Sequence, residues 1–277
     1  MSIPPKAVLV TTRAHWIDAQ LASVPDNWSV ITLDKLNSPD APICYGILMP
    51  GPHVEGGIPV VKVKDMRNGT ISHAGILLTD QKIEEQYSRS RLRENDIILS
   101  IRGSIGEVAV VPKSLEGANI TQDSARIRPK QPEHVDFVFQ ALRSQLLQHQ
   151  IKQVVVGQAV KGINIKDVRK LRLPLPHPHE RAKLCEVFRA WDRAIDLTVQ
   201  LIAEKQLRRK GLMQQLLTGK RRLPGFGKST EIRHTRWGYY PVDWGYPHIG
   251  EVAKYISTKN QGGDTLPVLS CTKYQGL

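Results

Sequence analysis

The side chains best suited to chemistry in this sequence are hydrogen-bonding pairs in glycine-bearing loops or near strand ends. They are Arg67 and Asn68, Arg102 and Ser104, Asn119 and Gln122, and Lys161 and Asn164. These residue types donate to base edges in a duplex groove and neutralise phosphates, with plain surface solvation as the competing use of each. Arg89, Arg91 and Arg93 fall on an alternating run, SRSRLR, which an extended backbone would aim to one face, and phosphate contact is the expectation there. Covalent chemistry has far less support. Cys44, Cys185 and Cys271 are too scattered for a disulfide framework or a metal knuckle. Neither GxGxxG nor GxxxxGK[ST] occurs, so no nucleotide phosphate loop is evident. The RGSIG segment from Arg102 to Gly106 reads as a tight hairpin turn, and Glu107 with Lys113 does not amount to a metal nuclease site. His177 and His179 read as solvated, so no catalytic residue and no metal ligand is assigned.

The scaffold behind these side chains has 277 residues and 31.1 kDa, with 39 Lys and Arg against 26 Asp and Glu, a formal charge of +13. With 40% apolar and 23% charged residues the chain can bury a substantial core, which excludes disordered, collagen-like and purely coiled-coil descriptions. A pI near 9.7 makes a polyanion the default partner. No apolar run approaches the roughly 18 residues of a membrane helix and no secretion signal opens the chain, so a cytoplasmic protein without a membrane partner is expected.

From Val24 to about Leu175 the pattern changes every few residues, predicting an α+β domain. Strands are expected at Ile58 to Val63, Asp96 to Ile101, Glu107 to Val111, Ala125 to Pro129 and around Leu173, the second and third forming a hairpin. Val135, Phe139, Leu142 and Leu146 have helical spacing and predict one amphipathic helix from Glu133 to Gln150. The segment from residue 1 to 22 leaves a docked helix and a frayed arm equally open.

After LPLPHP the text becomes uniformly helical. From His179 to Thr218 there is no proline and one internal glycine, Gly211, predicting a single helix that projects about 60 Å at 1.5 Å per residue. Gly219 suits a left-handed cap and Pro224 blocks continuation. Leu184, Phe188, Trp191, Ile195 and Ile202, with Leu201 alongside and Leu212 and Leu216 further on, make the seam of a helix packed lengthwise on another helix. From Lys205 to Thr230 the charges are all basic: Lys205, Arg208, Arg209, Lys210, Lys220, Arg221, Arg222 and Lys228. A solvated face and phosphate or partner contact both account for them.

An internal echo follows. VPDNWSVITLDKL, from Val24, is matched by YPVDWGYPHIGEVAKY, from Tyr240, with the tryptophans 216 residues apart. IPVVKVKDMRNGTI, from Ile58, is matched by LPVLSCTKYQGL, from Leu266, with Pro59 and Pro267 separated by 208. Two echoes in the same order at nearly one offset argue for a duplicated domain-plus-helix architecture whose second copy is incomplete. Residues 231 to 277 are therefore expected to be loosely ordered or to borrow cover. The anticipated organisation is an arm at 1–22, an α+β domain at 23–176, a long helix at 177–220, and a linker with the start of a second such domain at 221–277.

Three stretches carry a family resemblance: KGLMQQLLTGKRRLPGF from Lys210, ENDIILSIRGSIGEVAVVP from Glu94, and GQAVKGINIKDVRKLRLPLP from Gly157. With the layout above, the chain resembles the DNA-specificity subunit of type I restriction-modification systems, from about Val24 onward. The LPLPHPHERAKL junction departs from the adjacent prolines and acidic, glutamine-bearing helix start common in that family. The resemblance implies a non-catalytic subunit that reads double-stranded DNA, one half-site per recognition domain. Modification subunits would methylate adenine with S-adenosylmethionine, and a restriction motor subunit would use ATP and magnesium. No NPPY-like methylation tetrad occurs here. The helix would dock the modification subunits, and either a second copy of this chain or a separately supplied second half would complete the pairing. The alternative is a scaffold or decoy that binds the methyltransferase without competent DNA recognition.

Overall fold

Ile17 and Leu21, four residues apart, are only 2% and 6% exposed, which is the face a docked helix must hide. They belong to helix α1 (Arg13–Ala22) of the computed structural model, which describes residues 13–156, 161–227, 231–236, 238–245 and 247–257. The chain then forms β1 (Ser29–Thr32), α2 (Leu33–Leu36), β2 (Cys44–Tyr45), β3 (Ile58–Val61), β4 (Met66–Arg67), β5 (Thr70–Ile71), β6 (Leu77–Thr79) and α3 (Gln81–Glu85). Next come β7 (Ile97–Ser100), β8 (Val108–Val110), β9 (Asn119–Ile120), β10 (Ser124–Ile127), α4 (Val135–Arg143), α5 (Gln145–Gln153), α6 (Ile165–Arg169) and β11 (Arg172–Leu175). Helix α7 (Pro178–Leu217), β12 (Ile232–Thr235), β13 (Gly238–Pro241) and α8 (Ile249–Val252) follow. Two compact units divide the chain, residues 1–195 and 196–277.

In the first unit the organising sheet has the order β2-β10-β7-β8, all antiparallel. Its strands alternate between two apolar clusters, because successive residues of a strand face opposite sides. Ile97, Leu99, Ala125 and Ile127 join the cluster built with α4 and α5, whereas Ile98 and Ala109 join a second cluster with Val61, Met66, Ile71 and Ile120. A sheet covered on both faces is apolar at consecutive positions, and DIILSI and EVAVV already read that way. The expected hairpin between them is present, with Ile97 opposite Val110 and Leu99 opposite Val108. Smaller ladders complete the unit: β1 with β11, β6-β3-β9 with β3 and β9 parallel, and the β4–β5 hairpin.

The single helix expected over Glu133 to Gln150 is instead two. Ser144 adopts φ −64° and ψ 154°, ends α4, and accepts a hydrogen bond from the Leu147 amide as the N-cap of α5. Leu142 and Leu147 are both fully buried, yet five residues of one helix would set them about 140° apart. The break lets both face the same core. The strand from Ile58 also ends early, because Val63–Asp65 turns into a 3₁₀ helix with the Asp65 carboxylate accepting from the Lys62 amide at 2.9 Å. At the chain entry, Trp16 lies 4.7 Å from the His149 ring and Arg172 pairs with Asp18 at 2.7 Å, so the first residues described form a docked helix.

Helix α7 is 40 residues long, begins on Pro178 and ends as expected at Gly219, where φ is +70° and the Arg221 amide reaches back to the Gln215 carbonyl at 3.0 Å. A Cβ on Gly219 would lie 2.3 Å from Pro241 Cγ, so the close approach of β13 excludes any larger residue there. Also in the second unit, Arg222 forms a two-pronged pair with Asp243 at 2.8 Å and lies 5.5 Å from the Trp244 ring. That contact ties β12 and β13 to the helix exit. Leu266, where the second echo begins, lies outside the described residues. No helix among the described residues is long and apolar enough to cross a membrane.

Candidate nucleic-acid interface

The turn between β7 and β8 is fixed from beneath. Ser100 is fully buried, and its hydroxyl donates to the Ser104 carbonyl at 2.5 Å while accepting from the Glu107 amide at 2.8 Å. Gly103 and Gly106 take φ of +69° and +94°, conformations costly for other residues. The exposed side chain held over this turn is Arg102. Its Nη1 donates to Gln122 Oε1 at 3.0 Å, and its backbone bridges to Gly162. Arg102 and Gln122 therefore meet beside the loop that carries Lys161 and Asn164, both exposed. Asn164 precedes α6, with its amide 3.4 Å from Asp167. Ser104 sits exposed on the same turn as Arg102.

Arg67 and Asn68 lie at the tip of the β4–β5 hairpin, where Asn68 and Gly69 take φ of +51° and +87°. This is the left-handed pair that an Asn-Gly dipeptide forms most readily. Sequence reading placed Arg67 and Asn68 in a loop but overlooked the hairpin that the Asn-Gly signal announces.

Asn119 is a correction. It is fully buried, its amide donates to Glu84 at 3.0 Å and to the Tyr87 carbonyl at 3.1 Å, and its oxygen accepts from Ser90. Every polar atom is used internally, so the side chain is not free for a base edge. Glu84, 1% exposed, is also gripped by Arg91. The Arg91 hydrogen bonds, helped by Asn119, hold the Glu84 carboxyl below its ordinary value of 4.5 against the opposing effect of burial. A depressed carboxylate stabilises the fold fully above the unfolded value and loses that contribution as pH falls through the folded one. Glu84→Gln is therefore expected to lose stability at pH 7 and to show a shallower decline below about pH 4.5, read from denaturant midpoints at stepped pH.

The run SRSRLR is a second correction. Ser88–Ser90 forms a 3₁₀ turn, not an extended strand, because the Ser90 hydroxyl and amide fold back on the Tyr87 carbonyl. The three arginines still converge. Arg89, Arg91 and Arg93 line one polar cavity of about 380 Å³ with Arg126 and Arg128. Sequence reading missed the last two, although their spacing of two in a strand places both on one face. Arg128 holds Asp96 with two hydrogen bonds of 2.6 Å, and Arg89 lies 5.3 Å from the Tyr45 ring.

On α7 only Arg181 and Cys185 are buried, and burial pushes the Cys185 thiol up. The helix start is held to the first unit by Trp28 donating to Glu180 at 3.0 Å and Arg189 donating to Asp136 at 2.8 Å. Leu184 and Phe188 border an apolar groove of about 610 Å³ with Trp28, Phe137, Leu146 and Pro174. Further along, Trp191 is 67% exposed, Ile195 56%, Leu201 56% and Ile202 52%, while Leu212 and Leu216 are half-buried. Among the described residues the next longest helix, α1, has 10 residues.

The family model for the type I restriction modification DNA specificity domain matches residues 53–205. The type I restriction enzyme EcoBI specificity subunit of Escherichia coli is 31% identical over 192 residues, 68% of this chain and 40% of that protein. The MjaVIII specificity subunit of Methanocaldococcus jannaschii is 22% identical over 211 residues, 74% of this chain and 49% of that protein. The chain thus spans less than half the length of these curated relatives. A solved chain described for complex assembly and conformational transition of the type I R-M system shares the fold, with TM-score 0.50 at 21% identity over 76% of this chain and 54% of that one. The HsdS subunit from Thermoanaerobacter tengcongensis gives a TM-score of 0.48 at 22% identity, covering 76% and 53%. Because the family match runs from before β3 into α7 and takes in more than half of the sequence, the chain belongs to the type I restriction-modification DNA-specificity family.

Proposed function

We propose that this chain reads one half-site of double-stranded DNA and brings the enzymatic subunits of a type I restriction-modification complex to it. The observation that carries this reading is the exposed edge where Arg102 meets Gln122, flanked by Lys161 and Asn164. Arginine pairs two-pronged with guanine and glutamine or asparagine with adenine, so the edge carries donors for both purines in a major groove. The Arg102 to Gln122 hydrogen bond is exposed, so exchanging it for base edges costs little, about 1 kcal/mol. The buried Ser100 beneath keeps the turn from rearranging. In this reading the chain supplies an address and no catalysis. Adenine methylation with S-adenosylmethionine belongs to modification subunits, and ATP- and magnesium-dependent translocation to a restriction motor. Helix α7 pairs lengthwise with another long helix, that of a second copy completing the bipartite target, and offers its remaining faces to the modification subunits.

Selection from a random-sequence duplex pool tests the DNA reading. The protein is expected to enrich one motif, and Arg102→Ala to lose about 1–3 kcal/mol on that motif and to relax one base position. Lys161→Ala should weaken all duplexes alike and lower the salt slope by about one. An unmutated protein that shifts no duplex at any salt concentration would remove the DNA reading and leave the scaffold.

A further inference from the structure

The arginine cavity contains a buried charge that no carboxylate among the described residues pairs with directly. Arg126, in β10, is 2% exposed and sits opposite Ile98, on a face of the sheet it shares with the buried Ser124 and Ser100. Its Nη2 donates to the Pro42 carbonyl at 2.9 Å and contacts Cys44 Sγ at 3.6 Å, but its Nε has no partner. No carboxylate among the described residues forms an ion pair with it. Burial, its largest influence, lowers its proton affinity below the ordinary arginine value and the Arg128 charge acts the same way, against the opposing pull of Cys44 and Asp96. A buried guanidinium without an ion-pair partner is costly to hold, so its presence points to a ligand that offsets it.

The rest of the lining agrees. Arg91 and Arg128 are neutralised by Glu84 and Asp96, whereas Arg89 and Arg93 have no ion pair among the described residues. The lining carboxylates, Asp40 and Glu116, are exposed, where solvent and salt screen them. The inner wall therefore carries positive charge in a cavity of about 380 Å³, ample for one tetrahedral oxyanion. Guanidinium groups converging from different elements match the several oxygens of such a group.

We infer that this cavity is a phosphate-binding site, with Arg126 as its buried anchor and Arg93 and Arg89 closing on the group from the rim. The phosphate comes either from a duplex backbone or from a free phosphate or phosphomonoester. Only the first source rests on the DNA-reading proposal.

Calorimetric titration of the full chain with inorganic phosphate, at ionic strength held constant with chloride, tests the site. One saturable binding event is expected, weakened ten- to a hundredfold by Arg93→Gln and at least as much by Arg126→Met. Arg93→Gln changes an exposed side chain and keeps the test valid if Arg126→Met fails to fold. Absence of phosphate binding by the unmutated chain, or binding unchanged in Arg93→Gln, overturns the inference. Duplex DNA that displaces phosphate, with a salt slope lower by about one in Arg93→Gln, identifies the backbone as the source. Phosphate binding that DNA does not disturb supports the site with a free phosphate as its ligand. Duplex binding without any phosphate site refutes this inference alone, and phosphate binding without duplex binding counts only against the DNA reading.

Discussion

Replacing Ile195 and Ile202 together by glutamate is expected to leave the recognition domain folded and to abolish assembly through α7. Both side chains are more than half exposed, so the folded chain loses little, within about 0.5 kcal/mol per site, and glutamate is a good helix former. Pairing with another helix is different. Covering the remaining apolar area contributes about 1 kcal/mol or more per isoleucine, and two buried glutamates without partners would each cost several more. The sum exceeds about 5 kcal/mol, or three to four orders of magnitude in the association constant. Light scattering with and without modification subunits, beside a thermal melt of each variant, separates the effects. Unchanged assembly would mean that the stripe is not the contact.

The largest stability loss is expected from Asp96→Ala. Asp96 is 1% exposed and accepts from Arg128 twice at 2.6 Å and from the Arg93 amide at 2.8 Å. Removing it leaves Arg128, whose side chain is 17% exposed, beside Arg126 in the cavity lining without its counter-charge. Breaking a buried pair from one side costs about 3–5 kcal/mol. At about 2–4 °C per kcal/mol for a domain of this size, the melting temperature should fall by roughly 10 °C. Asp96→Asn keeps an acceptor for the Arg93 amide and should fall between the two. A loss below about 1 kcal/mol in Asp96→Ala would show that the pair contributes little.

Much of this architecture was legible because its signals are local. DIILSI and EVAVV have the continuous apolar character of strands covered on both faces, and RGSIG has the glycines of a tight turn. The reach of α7 follows from an absence of proline bounded by Gly219 and Pro224. The break at Ser144 was not legible, since Val135, Phe139, Leu142 and Leu146 keep a helical period across it. Only the competition of Leu142 and Leu147 for one core reveals the need to interrupt the helix. Asn119 looked available because sequence cannot show that Glu84, Tyr87 and Ser90, some thirty residues earlier, converge on it. Arg126 was hidden for the opposite reason: a strand reads as core, and a cation inside it stands out only when its neighbours are known. The convergence of Arg102 with Gln122 and the 161–164 loop likewise needs the sheet order, which no local pattern states.

The most direct test of the account is to map methylated adenines in DNA treated with a modification subunit together with this chain, and in parallel with Arg102→Ala. The account predicts methylation confined to one defined motif, dependent on the chain, and relaxed or lost in the variant. Methylation at the same sites without the chain, or an identical motif with Arg102→Ala and Gln122→Ala combined, would contradict it.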